Sequence, residues 1–89
     1  MAKNNGAHGI TLSDGRAVTI DVEAMRETLR TRKDFKRIAQ IKPSSDEYDD
    51  FLAQCSNLNR EEIENLLVVD FKALDAAVGK AVSELLGPN

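Results

Sequence analysis

The longest helical pattern of the chain is residues 59–88, NREEIENLLVVDFKALDAAVGKAVSELLGP. At its start, Asn59 and Glu62 have the spacing of a capping box. In that motif the Asn oxygen accepts from an early helix N–H, and the Glu side chain accepts from the N–H of the cap residue. Further glutamates follow in the first turns, where carboxylates complement the positive end of the helix dipole. This pattern predicts a helix that begins near Arg60.

The second half of this stretch predicts another helix. Asp70 is a candidate N-cap, and apolar residues then recur at steps of three and four. These residues are Phe71, Leu74, Val78, Val82 and Leu85. Gly87 followed by Pro88 is typical of a helix end. We therefore predict two helices that meet at Val69–Asp70, with one continuous helix containing Asp70 as the alternative.

A leading hairpin is predicted by two alternating runs around Asp14–Gly15, in ITLSDGRAVTIDV. A two-residue turn would place the apolar residues of the two strands on opposite faces. A three-residue Ser13–Gly15 loop, with the glycine in the left-handed conformation, instead sets Ile10 opposite Val18. We predict this bulged hairpin because four apolar side chains then share one face. They are Ile10, Leu12, Val18 and Ile20.

The apolar pattern in the middle of the chain predicts a break between two short helices. The apolar face that starts at Val22 is rotated away from the one formed by Phe35, Ile38 and Ala39. Thr31, with Asp34 three residues later, has the form of a restart cap. This arrangement predicts a helix from about Arg32 to Ile41, which Lys42–Pro43 ends because the residue before proline disfavours helix.

A further capping pattern at residues 44–47 predicts a helix that runs to about Cys55. Its buried stripe comprises Tyr48, Phe51, Leu52 and Cys55. Its other face is acidic, but it lacks the glycine and the terminal glutamate of a calcium-binding loop. We therefore interpret it as a solvated surface.

The predicted fold class is mainly α (α+β), an N-terminal β-hairpin followed by a small bundle of three to five short helices. We predict that residues 1–9 are a flexible leader and that residues 10–89 form a single domain.

The composition of the chain predicts its cellular location and limits the size of its core. The chain has 89 residues, one cysteine and no tryptophan, and a domain of this size buries only about 60 to 65% of its unfolded surface. The lone Cys55 excludes an internal disulfide and is expected in the core. No apolar run reaches the roughly 20 residues of a membrane span. These features predict a cytosolic protein without a membrane partner.

Charge is divided unevenly along the chain. Residues 16–42 hold eight basic and four acidic side chains, a net +4, whereas residues 43–89 hold three basic and ten acidic ones, a net −7. Oppositely charged halves can attract each other within one molecule, between copies, or toward a charged partner. Self-association is therefore an open alternative.

Motifs for chemistry are missing from the sequence. It has no Gly-rich phosphate loop, no metal-spaced pair of Cys or His, and no His placed to activate a nucleophile. We expect no catalytic, cofactor-binding or metal-binding residues. The basic run RTRKDFKR, residues 30–37, is the strongest candidate for partner binding. It comprises Arg30, Arg32, Lys33, Lys36 and Arg37.

Nucleic acid is a disfavoured partner for this basic run. A recognition helix needs Arg and Lys aimed at phosphates, but the whole chain has a net charge of −3. The turn at residues 56–59 also joins two acid-faced helices, which suits a helix-turn-helix poorly. The plain alternative is a solvated basic face that pairs with the acidic surface of the same chain.

Three segments in order resemble a known family. These are ITLSDGRAVTI, TRKDFKRI and NLNREEIENLLVVDFKALDAAV. The hairpin form I-T-L-x-D-G-R-x-V-T-I, the Thr-x-x-Asp helix start and the closing L-x-x-E-E-I-x-x-L-x-x-x-D-F-x-A-L are similar to the small tail assembly chaperones of tailed bacteriophages and prophages, including the Mu-like group. The resemblance covers residues 10–86. The chain departs from it with Asn57–Leu58, where many relatives have Gly-Leu, and with a longer, more charged stretch at 23–33.

The resemblance implies a non-catalytic protein in the cytoplasm of the bacterial host, absent from the mature virion. Such a protein holds the phage tape measure protein soluble and helps the tail tube protein assemble around it. The resemblance does not carry over partner-facing residues, so the basic run, with the exposed edge of the hairpin, is our predicted interface. Two alternatives remain: a small prophage-encoded DNA-associated regulator, and a structural head or tail connector subunit.

Overall fold

A computed structural model describes residues 8–85 and shows, over that range, a two-stranded antiparallel hairpin followed by five helices. The predicted fold class is confirmed. The elements are β1 (His8–Thr11), β2 (Ala17–Ile20), α1 (Val22–Thr28), α2 (Arg32–Gln40), α3 (Asp46–Gln54), α4 (Arg60–Glu64) and α5 (Val68–Leu85). Strand β1 begins inside the range predicted as a leader. The rest of that leader and the predicted stop at Gly87 and Pro88 lie outside the described residues.

The hairpin has the predicted register. Ile10 pairs with Val18, and the N–H of Leu12 donates to the carbonyl of Arg16 at 2.8 Å. Gly15 adopts φ +93°, the left-handed conformation that the three-residue loop requires. The shared apolar face faces the helices, since Leu12, Val18 and Ile20 are buried and Ile10 packs at the edge of the core.

The outer edge of β2 is covered by the segment between α3 and α4. The N–H of Thr19 donates to Asn57 Oδ1 at 3.0 Å, and Asn57 Nδ2 donates to the carbonyl of Ala17 at 3.3 Å. The N–H of Asp21 also donates to the carbonyl of Cys55 at 2.6 Å. The amide of Asn57 thus replaces a neighbouring strand, which a glycine at this position could not do.

The core lies between the hairpin face and helices α1, α3 and α5. The largest fully buried side chains are Ile20, Met25, Leu52, Leu74, Val18 and Cys55. The stripe predicted for α3 is confirmed, because all four of its residues are buried. At the margin, Tyr48 stacks on Phe51, and the Phe71 ring meets Tyr48 edge-on at 6.1 Å. The Tyr48 hydroxyl donates to Asp75, which satisfies the polar end of this buried ring.

Side-chain caps fix the starts of the first four helices. The caps are Asp21, Thr31, Ser45 and Asn59. Both predicted capping boxes form, between Thr31 and Asp34 and between Asn59 and Glu62. Helices α2 and α4 therefore begin at the predicted residues.

The junction between α4 and α5 differs from the prediction. Two helices are present, but α4 ends at Glu64 and α5 already begins at Val68, so the break precedes the predicted Val69–Asp70 junction. The prediction that Asp70 is an N-cap is wrong. It lies in the first turn of α5 and is 8% exposed, and its Oδ1 accepts from Ser13 N at 2.9 Å and Ser13 Oγ at 2.7 Å. The Asp70 carboxylate thus bonds the hairpin turn, whereas local spacing assigned it to a helix cap.

No helix within residues 8–85 has both the length and the apolar character needed to cross a bilayer.

Candidate interaction surfaces

The five predicted partner-binding residues lie together at the start and along one side of α2. All five are exposed. The spacing of the four within the helix places them inside an arc of roughly 140°, at about 100° per residue. Arg30 precedes the Thr31 cap. We call this set the basic face: Arg30, Arg32, Lys33, Lys36 and Arg37.

The basic face is only partly neutralised by the rest of the chain. Arg37 Nη2 lies 2.5 Å from Glu47 Oε2, and the Arg32 guanidinium lies 5.9 Å from the centre of the Phe35 ring. Arg30, Lys33 and Lys36 have no carboxylate partner within the part of the chain that the structure describes. Pairing with the chain's own acidic surface therefore accounts for Arg37 but not for these three charges.

Helix α2 is attached to the domain along a narrow line. It has no fully buried residue; Ile38 and the following Ile41 pack against the core. Phe35 is half-buried outside the core cluster, and Ala39 is exposed. Of the three residues predicted to form the apolar face of this helix, Ile38 is the one that packs against the core. This leaves the opposite, basic side of α2 open to solvent.

An acidic cluster lies on α3 and α4 around Arg60. The Arg60 guanidinium lies 2.5 Å from Glu64 and 3.5 Å from Asp46, and it also bonds Asp50. Carboxylate oxygens of Asp46, Asp49 and Glu64 come within 4.8 Å of one another. Burial raises the pKa of the Asp49 carboxyl above its ordinary value, Arg60 opposes this shift, and the nearby carboxylates add to it. Four carboxylates around one guanidinium leave this side negatively charged.

A groove next to the acidic cluster was not found from the sequence. It has a volume of about 260 Å³ and lies between the turn before α3, helix α4 and the start of α5. Its lining residues are Pro43, Ser44, Asp49, Ile63, Glu64, Leu66, Val68 and Phe71. Leu66 and Phe71 are half-buried here, whereas Leu58, Ile63 and Leu74 are buried.

Three consecutive apolar side chains near the start of α5 are exposed, and one of them, Val68, lines the groove. Leu67, Val68 and Val69 are 61%, 70% and 63% exposed. The sequence does hold a signal for this patch, because residues 66–69 are four consecutive apolar residues. At about 100° per residue they surround a helix, so one buried face cannot hold them all. We call Leu67, Val68 and Val69 the apolar triplet.

Cys55 and Tyr48 are both protonated near neutral pH. Burial raises the pKa of the Cys55 thiol to about 12. Burial also raises the pKa of the Tyr48 phenol, and its hydrogen bond to Asp75 adds to the shift. Cys55 is buried as predicted, and it does not present the thiolate that a nucleophile requires.

Known proteins do not identify these surfaces. Comparison of the chain with protein-family models, with curated proteins and with solved structures gave no match.

Proposed function

We propose that this protein is a non-catalytic tail assembly chaperone of a tailed phage or prophage. It binds the tape measure protein in the host cytoplasm, assists assembly of the tail tube, and is absent from the mature virion. The family resemblance supports this proposal. Its three segments supply the hairpin, the start of α2, and the block that contains α4 and α5.

The single observation that carries partner binding is the exposed, unneutralised part of the basic face. Within residues 8–85, Arg30, Lys33 and Lys36 are exposed and have no carboxylate partner. Exposed charges of one sign steer a partner and set the orientation of a complex, and reversing them places like charges together, which weakens binding. A tape measure segment that presents carboxylates beside an apolar stripe fits this surface.

The proposal is tested by charge reversal at the basic face. The variant Lys33→Glu/Lys36→Glu is suitable because neither residue has an intramolecular partner among the described residues, whereas reversal of Arg37 would break its pair with Glu47. We expect the affinity for the tape measure protein to fall at least tenfold at low salt. Fluorescence anisotropy across a salt series measures both the affinity and its salt dependence, which should weaken with the variant.

The matched control is Lys72→Glu/Lys80→Glu, which makes the same change in net charge on the exposed side of α5. It should bind nearly as tightly as the unaltered protein. Equal affinities and equal salt slopes for both double variants would show that the basic face is not the interface.

The alternative of a DNA-associated regulator uses the same unpaired charges. Its weakness is the element that follows α2, because α3 carries Asp46, Glu47 and Asp49 in its first turn. In a helix-turn-helix the second helix enters the major groove, and these carboxylates would repel phosphates there. Tight duplex binding with a steep salt dependence would favour the regulator. Presence of the chain in purified virions would favour a structural connector.

A further inference from the structure

We propose that the groove between α3, α4 and α5 binds an amphipathic helix of a partner protein, whose apolar stripe is bordered by lysine or arginine. This site is separate from the basic face. It does not depend on the proposed chaperone function, because it is defined by the apolar and charged groups around the groove.

The apolar part of the argument rests on the exposed side chains at the start of α5. The triplet exposes three neighbouring aliphatic side chains by more than 60% each, and Val68 joins it to the groove, which Leu66 and Phe71 also line. Grouped exposed apolar residues beside a concave surface mark sites of association. A partner that covers them removes apolar surface from water.

The charge part of the argument selects the partner's polar residues. Asp49 and Glu64 line the groove itself, and Asp46 lies within 4.8 Å of both through its carboxylate. Arg60 pairs with Glu64, Asp46 and Asp50 and supplies one positive charge to this cluster. The remaining negative charge favours a partner with Lys or Arg beside its apolar stripe and disfavours one with Asp or Glu.

A helix fits the groove better than an extended strand. Strand addition gains affinity from main-chain hydrogen bonds to a sheet edge, whereas a helix lays side chains into an apolar groove. The groove is lined by residues of α3, α4 and α5 and of the turns beside them, and no residue of the hairpin lines it. Anchors at helical spacing would contact Leu66, Val68 and Phe71.

A second copy of this chain fits the groove poorly. The most basic helix of the described residues is α2, and its Ile38 packs against its own core. That helix therefore cannot present a continuous apolar stripe with basic borders while it stays folded on its own domain.

The test uses synthetic helical peptides and the full chain. Three labelled 18-residue peptides are compared by fluorescence anisotropy. One has a leucine stripe with lysine borders, one has the same stripe with glutamate borders, and one has the lysine composition with the leucine positions scrambled. We expect the first peptide to bind at least tenfold more tightly than either of the others.

Variants of the chain locate the site. Leu67→Ser/Val68→Ser should lower the affinity for the lysine-bordered peptide at least tenfold. The variant should stay folded because both side chains are exposed. Asp49→Asn/Glu64→Gln should lower this affinity severalfold and reduce its dependence on salt concentration. The control Glu23→Gln/Glu27→Gln, which neutralises two exposed carboxylates of α1, should change neither. Thermal melts confirm that each variant is folded.

Three results would overturn the proposal. One is equal binding of the lysine-bordered and glutamate-bordered peptides. Another is an unchanged affinity in the Leu67→Ser/Val68→Ser variant. The third is sedimentation that shows a dimer of the unaltered chain which this variant dissociates, since the occupant would then be a second copy. Because the peptides are not tape measure segments, these outcomes leave the proposed chaperone function to its own test.

Discussion

At the scale of single residues, the most informative contact joins Ser13 to Asp70. One carboxylate oxygen accepts from both the backbone N–H and the hydroxyl of Ser13, across 57 positions in the chain. It fastens the hairpin turn to the first turn of α5, and its negative charge also suits a helix N-terminus. Sequence spacing predicted Asp70 to be the N-cap of a helix, which is wrong. It could not identify the partner, which only the tertiary fold brings near.

A double-mutant cycle measures this contact. Ser13→Ala removes one hydrogen bond and should cost about 0.5–1.5 kcal/mol, while Asp70→Ala also leaves the Ser13 N–H without its acceptor and should cost about 1–3 kcal/mol. The double variant should cost little more than Asp70→Ala alone, as measured by urea denaturation. Fully additive losses would mean that the two side chains do not interact in solution.

The buried thiol of Cys55 predicts how stability depends on pH. Its pKa lies near 9.0 in an unfolded chain and is raised to about 12 in the folded protein. Between these values the folded state keeps a proton that the unfolded chain releases. This contribution to stability is therefore complete below about pH 9 and is lost as the pH rises toward 12.

Denaturation between pH 8 and 10 measures this loss, below the range where Tyr48 makes a similar contribution. The free energy of unfolding should fall with a slope that approaches about 1.4 kcal/mol per pH unit for one proton. Cys55→Ala should be less stable at pH 8 but should show a shallower decline. Parallel pH profiles for the two proteins would contradict the account of Cys55.

At the scale of elements, two glycines with similar open space should respond in opposite ways to substitution. A Cβ at Gly15 or at Gly79 would meet no atom within 4 Å. Gly15 has φ +93°, whereas Gly79 lies inside α5. Gly15→Val should therefore destabilise by about 1–3 kcal/mol through backbone strain alone. Gly79→Ala should stabilise by about 0.5–1 kcal/mol because alanine favours helix.

Thermal melts of both variants check these signs. A change of 1 kcal/mol moves the Tm of a domain of 60–100 residues by about 4–8 °C. An unchanged Tm for Gly15→Val would count against the bulged turn. A lower Tm for Gly79→Ala would mean that the open side of α5 is covered by a neighbour.

Local elements were predictable wherever the controlling interaction is local. The hairpin register followed from loop length and alternation, and helix starts followed from caps such as Thr31 and Asn59 that lie within three residues of their partners. The end of α4 was not predictable in this way. Residues 66–69 are uniformly apolar, so their pattern contains no helix boundary. In the structure, Leu66 and Phe71 pack against the core on either side of the start of α5.

At the scale of the whole molecule, the uneven charge of the sequence becomes two surfaces with different properties. The basic face of α2 is largely unpaired within residues 8–85, and the acidic cluster around Arg60 borders an apolar groove. Within residues 8–85, the ion pairs of Arg16 with Glu62 and of Arg37 with Glu47 join the two halves of the chain. The basic face was predictable from helical spacing. The groove was not, because its walls come from three separate helices.

The most direct test of the chaperone proposal is co-expression with the tape measure protein encoded by the same phage or prophage. The measurement is the soluble fraction of the tape measure protein and its co-elution with this chain on size exclusion. We predict that the tape measure protein is soluble only when this chain is present and that the two elute together. If the tape measure protein aggregates regardless and this chain elutes alone, the proposed function is wrong.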